Sequence, residues 1–383
     1  LRHSLTPMRS IPLEEFIALR RLLRSSRIGI VRLRSMLDAY GSGVSLIDTP
    51  PKQIAQEVRL SDAAFKGLVD GVGNGDFDAD YKKDHDYITN LGGAILAYAN
   101  DGYPSQLADI YDPPILLYVL GEIREEDKKS VAIVGTRTPT PYGTRSAMDI
   151  SSGLVRENFT VVSGLARGID TTSHKAALEA GGRTIAVLGS GFRNIYPQEN
   201  KKMVKEIMDG RGAVITEYSP DTKPDAINFP GRNRIISGLS LGVLVVEAAE
   251  KGGALLTAGF AIDQGKEVFA IPGNITSVKS GGTNRLIQRG EAKLVIDTLD
   301  ILDELNIRPQ KAPEPVDESV LVVPEDLTIF EDKIYSAIAF QPIHIDEIAN
   351  LTGLNVSECL TTLLTLELKG YVRQLPGKNF KRV

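Results

Sequence analysis

The chain has 383 residues, a formal net charge of −5 at pH 7 and a single cysteine. The length suggests two or three domains, and 42% hydrophobic with 24% charged residues is typical of a globular protein with a sizeable core. One cysteine excludes an intrachain disulfide, the four histidines have no cysteine partners at zinc-ligand spacing, and no apolar run reaches the roughly 18 residues of a membrane span. We therefore expect a cytoplasmic protein without a metal site or a membrane contact. The negative charge leaves room for a local basic groove, because salt confines electrostatic fields to about 10 Å.

The first 80 residues predict a helical domain. Apolar residues recur at helical spacing between Leu13 and Leu23, a polar break with Gly29 follows, and a second helix begins near Val31. Two helices around a glycine turn indicate a helix-hairpin-helix or sterile-alpha-motif-like unit. Eight arginines lie within the first 34 residues; a solvated helix face is the main interpretation, and contact with a DNA backbone is the alternative. Residues 71–86 are rich in Gly, Asp and Lys and indicate a linker.

Residues 84–306 alternate short apolar strands with helices, which predicts a Rossmann-like domain. Strands are expected at 130–134, 160–162, 184–188, 212–216, 242–246, 267–271 and 293–295, after a lead-in with strands near 94–97 and 115–119. Helices are expected at 143–157, 170–180, 197–209, 232–238, 255–264 and 283–289. The strands are apolar on both faces, as in a parallel sheet covered by helices on both sides. The expected fold class is therefore α/β, with an extended, doubly wound and mostly parallel sheet.

The last part of the chain predicts a separate small domain after a linker. Residues 307–325 contain four prolines among charged residues and predict a stiff, extended linker. Residues 326–383 show helical segments at 330–340, 345–351 and 356–369, followed by a hairpin around Gly377. Three helices and a hairpin predict a winged-helix domain.

Polar loops with glycine follow several strands of the central domain. The carboxyl ends of parallel strands meet at one edge of the sheet, so these loops should gather there and present backbone N–H groups and arginines to an anion. The binding residues that we expect from the first two loops are Gly135, Thr136 and Arg137, then Ser163, Gly164, Arg167 and Gly168. Asp170 is expected to cap the helix that follows.

The segment Phe229-Pro230-Gly231-Arg232-Asn233-Arg234 places an aromatic ring beside two arginines. Such sets bind single-stranded nucleic acid, because the ring stacks on a base for about 1–3 kcal/mol and the guanidinium groups pair with phosphates. A core position for the ring is the alternative. The residues that we expect to contact DNA here are Phe229, Arg232, Asn233 and Arg234, together with Lys251 in a later Gly-rich loop.

Nucleotide-binding fingerprints are incomplete in the central domain. A dinucleotide fingerprint that begins at Gly189 has Asn194 where its third Gly belongs, and a P-loop pattern that ends at Lys266 is one residue too long and is followed by Glu267 instead of Ser or Thr. No nucleophile, base and orienting acid stand together in the pattern, and His174 is interpreted as a packed core histidine. We expect no cofactor, no ATP hydrolysis and no enzyme activity.

Together these motifs resemble those of the DNA-processing protein A family (DprA, also called Smf), most strongly over residues 95–300. The resemblance rests on the segments 134–137, 163–170, 186–191, 196–197, 229–240 and 271–273. It implies a protein that binds single-stranded DNA without sequence preference and helps to load the RecA recombinase on incoming DNA during natural transformation (competence). It also implies a homodimer and a Rossmann-like sheet without a nucleotide cofactor. By motif, DNA contacts fall on Arg137, on residues 163–168, and on Phe229, Arg232 and Arg234. One departure is residues 191–194, where the family's pattern has an acidic residue after the glycine pair.

Two other classes of function are weighed against this one. Phosphoribohydrolases of a related Rossmann class carry Pro-Gly-Gly-x-Gly-Thr-x-x-Glu after a strand, but residues 250–257 here lack the leading Pro, the third Gly and the catalytic Glu. A regulator of double-stranded DNA is disfavoured because the expected recognition helix, 356–369, contains Glu358 and Glu367 and only one lysine. The nucleotide-hydrolysing enzyme remains the alternative to a DNA-binding mediator, and the recognition helix is a candidate for binding a protein.

Overall fold

The computed structural model describes residues 10–309, 327–338 and 343–382, apart from positions 26, 74, 99 and 376. The chain divides into two compact units between residues 310 and 311. This division falls within the predicted linker at 307–325, most of which lies outside the described residues. In the described part of the chain, no helix combines the length and the apolar composition that a membrane span requires.

The described part of the first unit opens with the predicted helical region: α1 (Leu13–Arg24), α2 (Ile30–Tyr40), α3 (Gly43–Asp48), α4 (Pro51–Glu57), α5 (Asp62–Gly73) and α6 (Asp78–Asn90). Phe16, Leu19 and Leu22 bury one face of α1 completely. The start of α3 comes so close to α1 that a side chain on Gly43 would meet Leu19 at 2.8 Å. The buried carboxylate of Glu15 accepts the Gly43 N–H at 2.7 Å, which fixes this approach.

Residues 71–86 are not the linker that their composition indicated. They contain the end of α5 and most of α6, and the sequence boundary placed between residues 80 and 84 falls inside α6. Tyr81 and Ile88 on α6 are buried in the same cluster as Phe16 on α1. Two apolar positions seven residues apart therefore hold a helix whose other residues are mostly polar.

The central sheet consists, in the described residues, of β1 (Ala94–Ala97), β2 (Leu116–Gly121), β3 (Ser130–Val134), β4 (Thr160–Ser163), β5 (Thr184–Val187), β6 (Gly212–Thr216), β7 (Gly242–Val245), β8 (Glu267–Ala270) and β9 (Lys293–Leu294). The strand order is β1-β2-β6-β5-β4-β3-β7-β8-β9. The strands from β6 to β9 in this order pair in parallel, and β2 pairs antiparallel with both β1 and β6. The predicted extended, mostly parallel Rossmann-like sheet is thereby confirmed.

Helices cover both faces of this sheet: α7 (Ser105–Ala108), α8 (Pro141–Arg156), α9 (Ile169–Glu179), α10 (Lys201–Glu206), α11 (Asn228–Gly238), α12 (Gly253–Asp263), α13 (Gly281–Gln288) and α14 (Thr298–Glu304). Alternate residues of β3 face the two layers. Val131 and Ile133 pack with α8 and α14, whereas Ala132 and Val134 pack with α11 and α12. Helices of the α1–α6 region cover the antiparallel end, where Tyr118 of β2 shares their apolar cluster.

The second unit contains α15 (Ile329–Ala337), β10 (Ile343–His344), α16 (Ile345–Thr352), α17 (Val356–Leu368), β11 (Val372–Leu375) and β12 (Asn379–Arg382). The three strands form a sheet in the order β10-β12-β11. Gly353 ends α16 with a left-handed φ of +66°, and Cys359, Leu363 and Phe380 are buried in one core. This arrangement confirms the predicted winged helix.

Candidate nucleic-acid interface

The winding direction of the central sheet reverses between β3 and β7. From β3 the chain continues through β4, β5 and β6 on one side and then crosses to β7 on the other. Such a reversal leaves a crevice outside the carboxyl ends of the two strands. A cleft of about 490 Å³ lies there. The predicted binding residues that line it are Gly135, Thr136, Arg137, Phe229, Arg232 and Asn233.

A smaller cavity of about 170 Å³ shares Arg137 and Phe229 with this cleft and is also lined by Gly164 and Arg167. The guanidinium carbon of Arg137 lies 5.2 Å from the centroid of the Phe229 ring, and the Arg137 side chain is exposed. The Arg167 side chain is 57% exposed and donates to both carboxylate oxygens of Glu199, at 2.8 and 2.9 Å. Two accessible cations thus stand beside one aromatic ring, a combination suited to a base and its phosphates.

Arg232 lies beneath the cleft. Its side chain is buried and donates hydrogen bonds to the carbonyl oxygens of Gly164 and Val187. Burial lowers the pKa of Arg232, and the nearby Asp170 carboxylate acts in the opposite direction. A Cβ atom on Gly164 would lie 2.4 Å from the guanidinium group, so this close contact requires glycine. Arg232 therefore ties the ends of β4 and β5 together.

The carboxylate of Asp170 organises the loop after β4. It is buried and accepts the N–H groups of Gly164 and Ala166 at 3.1 and 3.3 Å. Burial raises the pKa of Asp170 to about 6, against the opposing effects of Arg232 and of these hydrogen bonds. The expectation that Asp170 caps α9 is wrong, because Gly168 occupies the N-cap position and Asp170 lies in the first turn.

Arg234 is 5% exposed and belongs to an ion-pair network. Its Nη1 and Nη2 donate to Glu217 at 2.6 and 2.7 Å, and its Nε lies 3.0 Å from a carboxylate oxygen of Asp112. A direct phosphate contact does not fit this environment. The reason is that residues 229–234 belong to α11 and not to a loop, and side chains two positions apart on a helix point to nearly opposite sides.

Three other expected binding residues shape the loops from within. The hydroxyl of Ser163 is buried and donates to the Ile133 carbonyl at 2.6 Å. Gly168 has a φ of +79°, and a Cβ atom there would lie 2.3 Å from the carbonyl oxygen of Thr136. Asn233 is buried and accepts from Arg232 at 3.1 Å.

Lys251 is exposed and precedes Gly252 and Gly253, which line the larger cleft at the start of α12. His174 is a core histidine, as predicted. It is fully buried, with its Nδ1 atom 2.6 Å from the Thr184 hydroxyl, and burial lowers its pKa to about 3. Among the described residues, no group of His, Cys, Asp and Glu side chains is placed to hold a metal ion.

The sequence patterns missed three carboxylates and a tyrosine at this edge. Glu247 is buried and accepts the N–H and the hydroxyl of Thr140 at 2.9 and 2.6 Å, which fixes the loop after β3. Glu217 and Glu199 hold the two arginines described above. Tyr196, which is 44% exposed, lines the smaller cavity. Glu247 stands two residues beyond a buried strand, and that position was a usable signal; Tyr196 gave none beyond its neighbouring proline.

The outer face of α17 in the winged-helix unit is apolar and uncharged. Leu360, Leu364 and Leu368 are 37%, 58% and 82% exposed, and the helix contains no Lys or Arg. Cations lie instead on the hairpin, where Arg373 and Lys378 are exposed.

Fold and site together define a Rossmann-like α/β protein whose sheet edge carries accessible cations beside an aromatic ring, with a winged helix in a second unit. The chain belongs to the DNA recombination-mediator protein A family, whose sequence model matches residues 94–306, and a model of the DprA winged helix domain matches residues 323–378.

Curated relatives and solved structures agree with this assignment. Protein Smf of Escherichia coli is 40% identical over 284 residues, which cover 74% of this chain and 76% of that protein. DNA processing protein DprA of Bacillus subtilis is 45% identical over 214 residues, or 56% of this chain and 71% of that one. The structure of DNA processing protein A from Streptococcus pneumoniae superposes with a TM-score of 0.65 at 34% identity, covering 77% of this chain and 98% of that one. A structure that concerns the single-stranded DNA binding mode of DNA processing protein A from Helicobacter pylori gives a TM-score of 0.50 at 30% identity, covering 56% and 95%.

Proposed function

We propose that this protein binds single-stranded DNA without sequence preference at the edge formed by the ends of β3, β4, β5 and β7. The observation that carries the proposal is the exposed Arg137 guanidinium 5.2 Å from the Phe229 ring, in the lining that both cavities share. Stacking and phosphate pairing do not distinguish the bases, since every base has an aromatic face. The Helicobacter pylori relative, whose structure concerns single-stranded DNA binding, supports this function.

The proposed DNA-binding residues fall into two groups by exposure. The group that contacts the strand comprises Gly135, Thr136, Arg137, Gly164, Arg167, Phe229 and Lys251. The group that positions these loops comprises Ser163, Gly168, Arg232, Asn233 and Arg234, whose side chains or backbones are held within the protein.

The strand preference is tested by fluorescence anisotropy with labelled single-stranded and duplex DNA over a salt series. Affinity for the single strand should fall with salt, with a slope of log affinity against log salt of roughly −0.7 for each phosphate neutralised. Equal affinity for duplex, or affinity that does not respond to salt, contradicts the proposal.

Arg137→Ala should weaken single-strand binding by about 10- to 100-fold, the effect of losing one charge-assisted contact of about 1.5–3 kcal/mol. Its melting temperature should stay close to that of the parent, because the side chain is exposed. Arg156→Ala is the matched control, since Arg156 is an exposed arginine at the far end of α8. If both variants bind alike, Arg137 is not a contact.

We further propose that the bound strand is handed to the RecA recombinase in the cytoplasm during natural transformation, and that the protein acts without catalysing a reaction. The names of the family and of the Bacillus and Streptococcus relatives, a recombination mediator and DNA processing proteins, support this role. RecA should form filaments faster on strands covered by single-strand-binding protein when this chain is added. An unchanged lag before filament growth would separate DNA binding from recombinase loading.

A homodimer is also part of the proposal. β9 is a two-residue strand at the edge of the sheet, and Leu294, Ile296 and Leu299 beside it are 39%, 78% and 51% exposed. Apolar groups at an exposed strand edge favour contact between chains. Sedimentation equilibrium should give twice the chain mass, and Ile296→Glu combined with Leu299→Glu should give the monomer. Tyr111→Glu, at a residue 76% exposed beyond α7, should leave the dimer intact.

A further inference from the structure

The smaller cavity has a second aromatic wall. Tyr196 lines it together with Phe229, and 44% of Tyr196 is exposed. In the described part of the chain, no residue forms a hydrogen bond with the Tyr196 hydroxyl, and no other aromatic ring contacts its ring. An exposed aromatic face without a partner therefore borders the same space as the ring already assigned to DNA.

This cavity has the size of one aromatic ring. Its volume of about 170 Å³ compares with the roughly 150 Å³ of an engineered cavity that binds benzene. Gly189 forms part of the lining, and a Cβ atom there would lie 3.3 Å from the Phe229 ring. Arg137 and Arg167 line the cavity as well, so groups that bind phosphate stand next to space for a base.

The segment that carries Tyr196 is tied to the loop after β4. The side-chain amide of Asn200 donates to the Leu165 carbonyl at 2.9 Å and to the Thr171 hydroxyl at 2.8 Å. The ion pair of Glu199 with Arg167 joins the same two segments at 2.8 Å. Tyr196 is thus held in place before any ligand arrives, which reduces the entropy lost on binding.

We propose that Tyr196 is a second base-stacking residue, and that one base of the strand enters the cavity between Tyr196 and Phe229 while the adjoining phosphates lie on Arg137 and Arg167. The inference rests on the proposed single-strand binding and names the residues that hold one base. It follows that affinity depends on the presence of a base in this cavity and not on the sugar–phosphate backbone alone.

The test compares two oligonucleotides of equal length, oligo-dT and a strand of abasic sites with the same number of phosphates, on the full chain. Tyr196→Ala should lower affinity for oligo-dT by about fivefold or more, the effect of one lost stacking contact, and leave the abasic strand nearly unaffected. Tyr196→Phe keeps the ring and should bind as the parent does. Tyr111→Ala removes an exposed tyrosine away from the cavities and serves as the control.

Each outcome has a separate meaning. A parent chain that binds no single-stranded DNA overturns the proposed function itself. A parent that binds while Tyr196→Ala binds oligo-dT equally well, or loses both strands equally, overturns only the role of Tyr196. Because the alanine variant could fail to fold, the unmodified chain is also cross-linked by light to oligonucleotides carrying 5-iododeoxyuridine. Mass spectrometry should find the adduct on Tyr196 or Phe229, and adducts on neither residue would overturn the inference.

Discussion

Arg232 and Arg234 show how burial decides what a charged residue does. Both lie on α11 and both are about 4% exposed, yet Arg232 donates to backbone carbonyls and Arg234 to the carboxylates of Glu217 and Asp112. Exposed ion pairs contribute about 0–1 kcal/mol, whereas removing one partner of a buried pair costs about 3–5 kcal/mol. These two arginines therefore support the edge to which the exposed Arg137 and Arg167 are attached.

Arg234→Ala should lower the free energy of unfolding by about 3 kcal/mol, because it leaves the Glu217 carboxylate, 15% exposed, without its bidentate partner. Urea denaturation followed by circular dichroism measures the change. The control is Arg285→Ala, which removes an exposed pair with Glu250 and should cost less than about 1 kcal/mol. Equal midpoints for both variants would show that Arg234 is not a structural residue.

Asp170 and His174 should oppose each other in the pH dependence of stability. The folded-state pKa of Asp170 is raised from 3.8 to about 6, so its contribution is present below pH 3.8 and is lost as pH rises through 6. The folded-state pKa of His174 is lowered from 6.5 to about 3, so its contribution is present above pH 6.5 and is lost as pH falls toward 3. Between pH 4 and 6 the two slopes have opposite signs and largely cancel.

Asp170→Asn removes one of these slopes. The free energy of unfolding of the variant should rise more steeply between pH 4 and 6 than that of the parent, by up to about 1.4 kcal/mol for each pH unit. Denaturation midpoints at three pH values across this window provide the measurement. Parallel curves for parent and variant would mean that Asp170 titrates in the folded protein as it does in the unfolded chain.

At the scale of elements, the sequence predicted the strands well and some helix boundaries poorly. Runs of Val, Ile and Ala become buried strands wherever they occur, so their position needed no tertiary information. The start of α11 was placed four residues late, because Pro230 and Gly231 resemble a loop. Proline is tolerated in a first helical turn, and contacts remote in sequence hold this one: Asn228 donates to the Gly189 carbonyl and accepts from Tyr218, both at 3.1 Å.

The same reasoning applies to the candidate site. Arg137, Arg167 and Phe229 were found because glycine-rich loops after strands must gather at one edge. The burial of Arg232 and Arg234 was not predictable, since it depends on carbonyl and carboxylate partners supplied by β5, by the loop after β6 and by Asp112.

Removal of the winged helix should leave single-strand binding within about tenfold of that of the full chain, or roughly 1.4 kcal/mol. The reason is that α17 offers Leu360, Leu364 and Leu368 to solvent and contains no cation to pair with phosphate. The fragment to compare is 1–309, which keeps the whole first unit; a start at residue 84 would cut through α6. A larger loss of affinity would assign DNA recognition to the tail, and with it to the basic hairpin.

For the whole molecule, we expect no turnover of nucleotides. The loop after β7 enters α12 through Gly252 and Gly253, and at the next positions it carries Leu256 and Thr257 where hydrolases of the related class need a catalytic glutamate. Incubation with ATP and with nucleoside monophosphates should release neither phosphate nor free base, as followed by chromatography. Product that forms with the parent chain and disappears with Glu250→Gln would instead establish an enzyme.

The core that the α1–α6 helices share with the sheet has a consequence for how the protein unfolds. Because Phe16, Tyr81 and Tyr118 lie in one apolar cluster, the helices cannot melt without exposing the antiparallel end of the sheet to water. Calorimetry should therefore show a single endotherm for helices and sheet together, whereas the winged helix, with a core of its own, is free to melt at another temperature. A protease that cuts between α6 and β1 would leave two sticky halves, so the helical region is a permanent wall of the DNA-binding unit and not an exchangeable module.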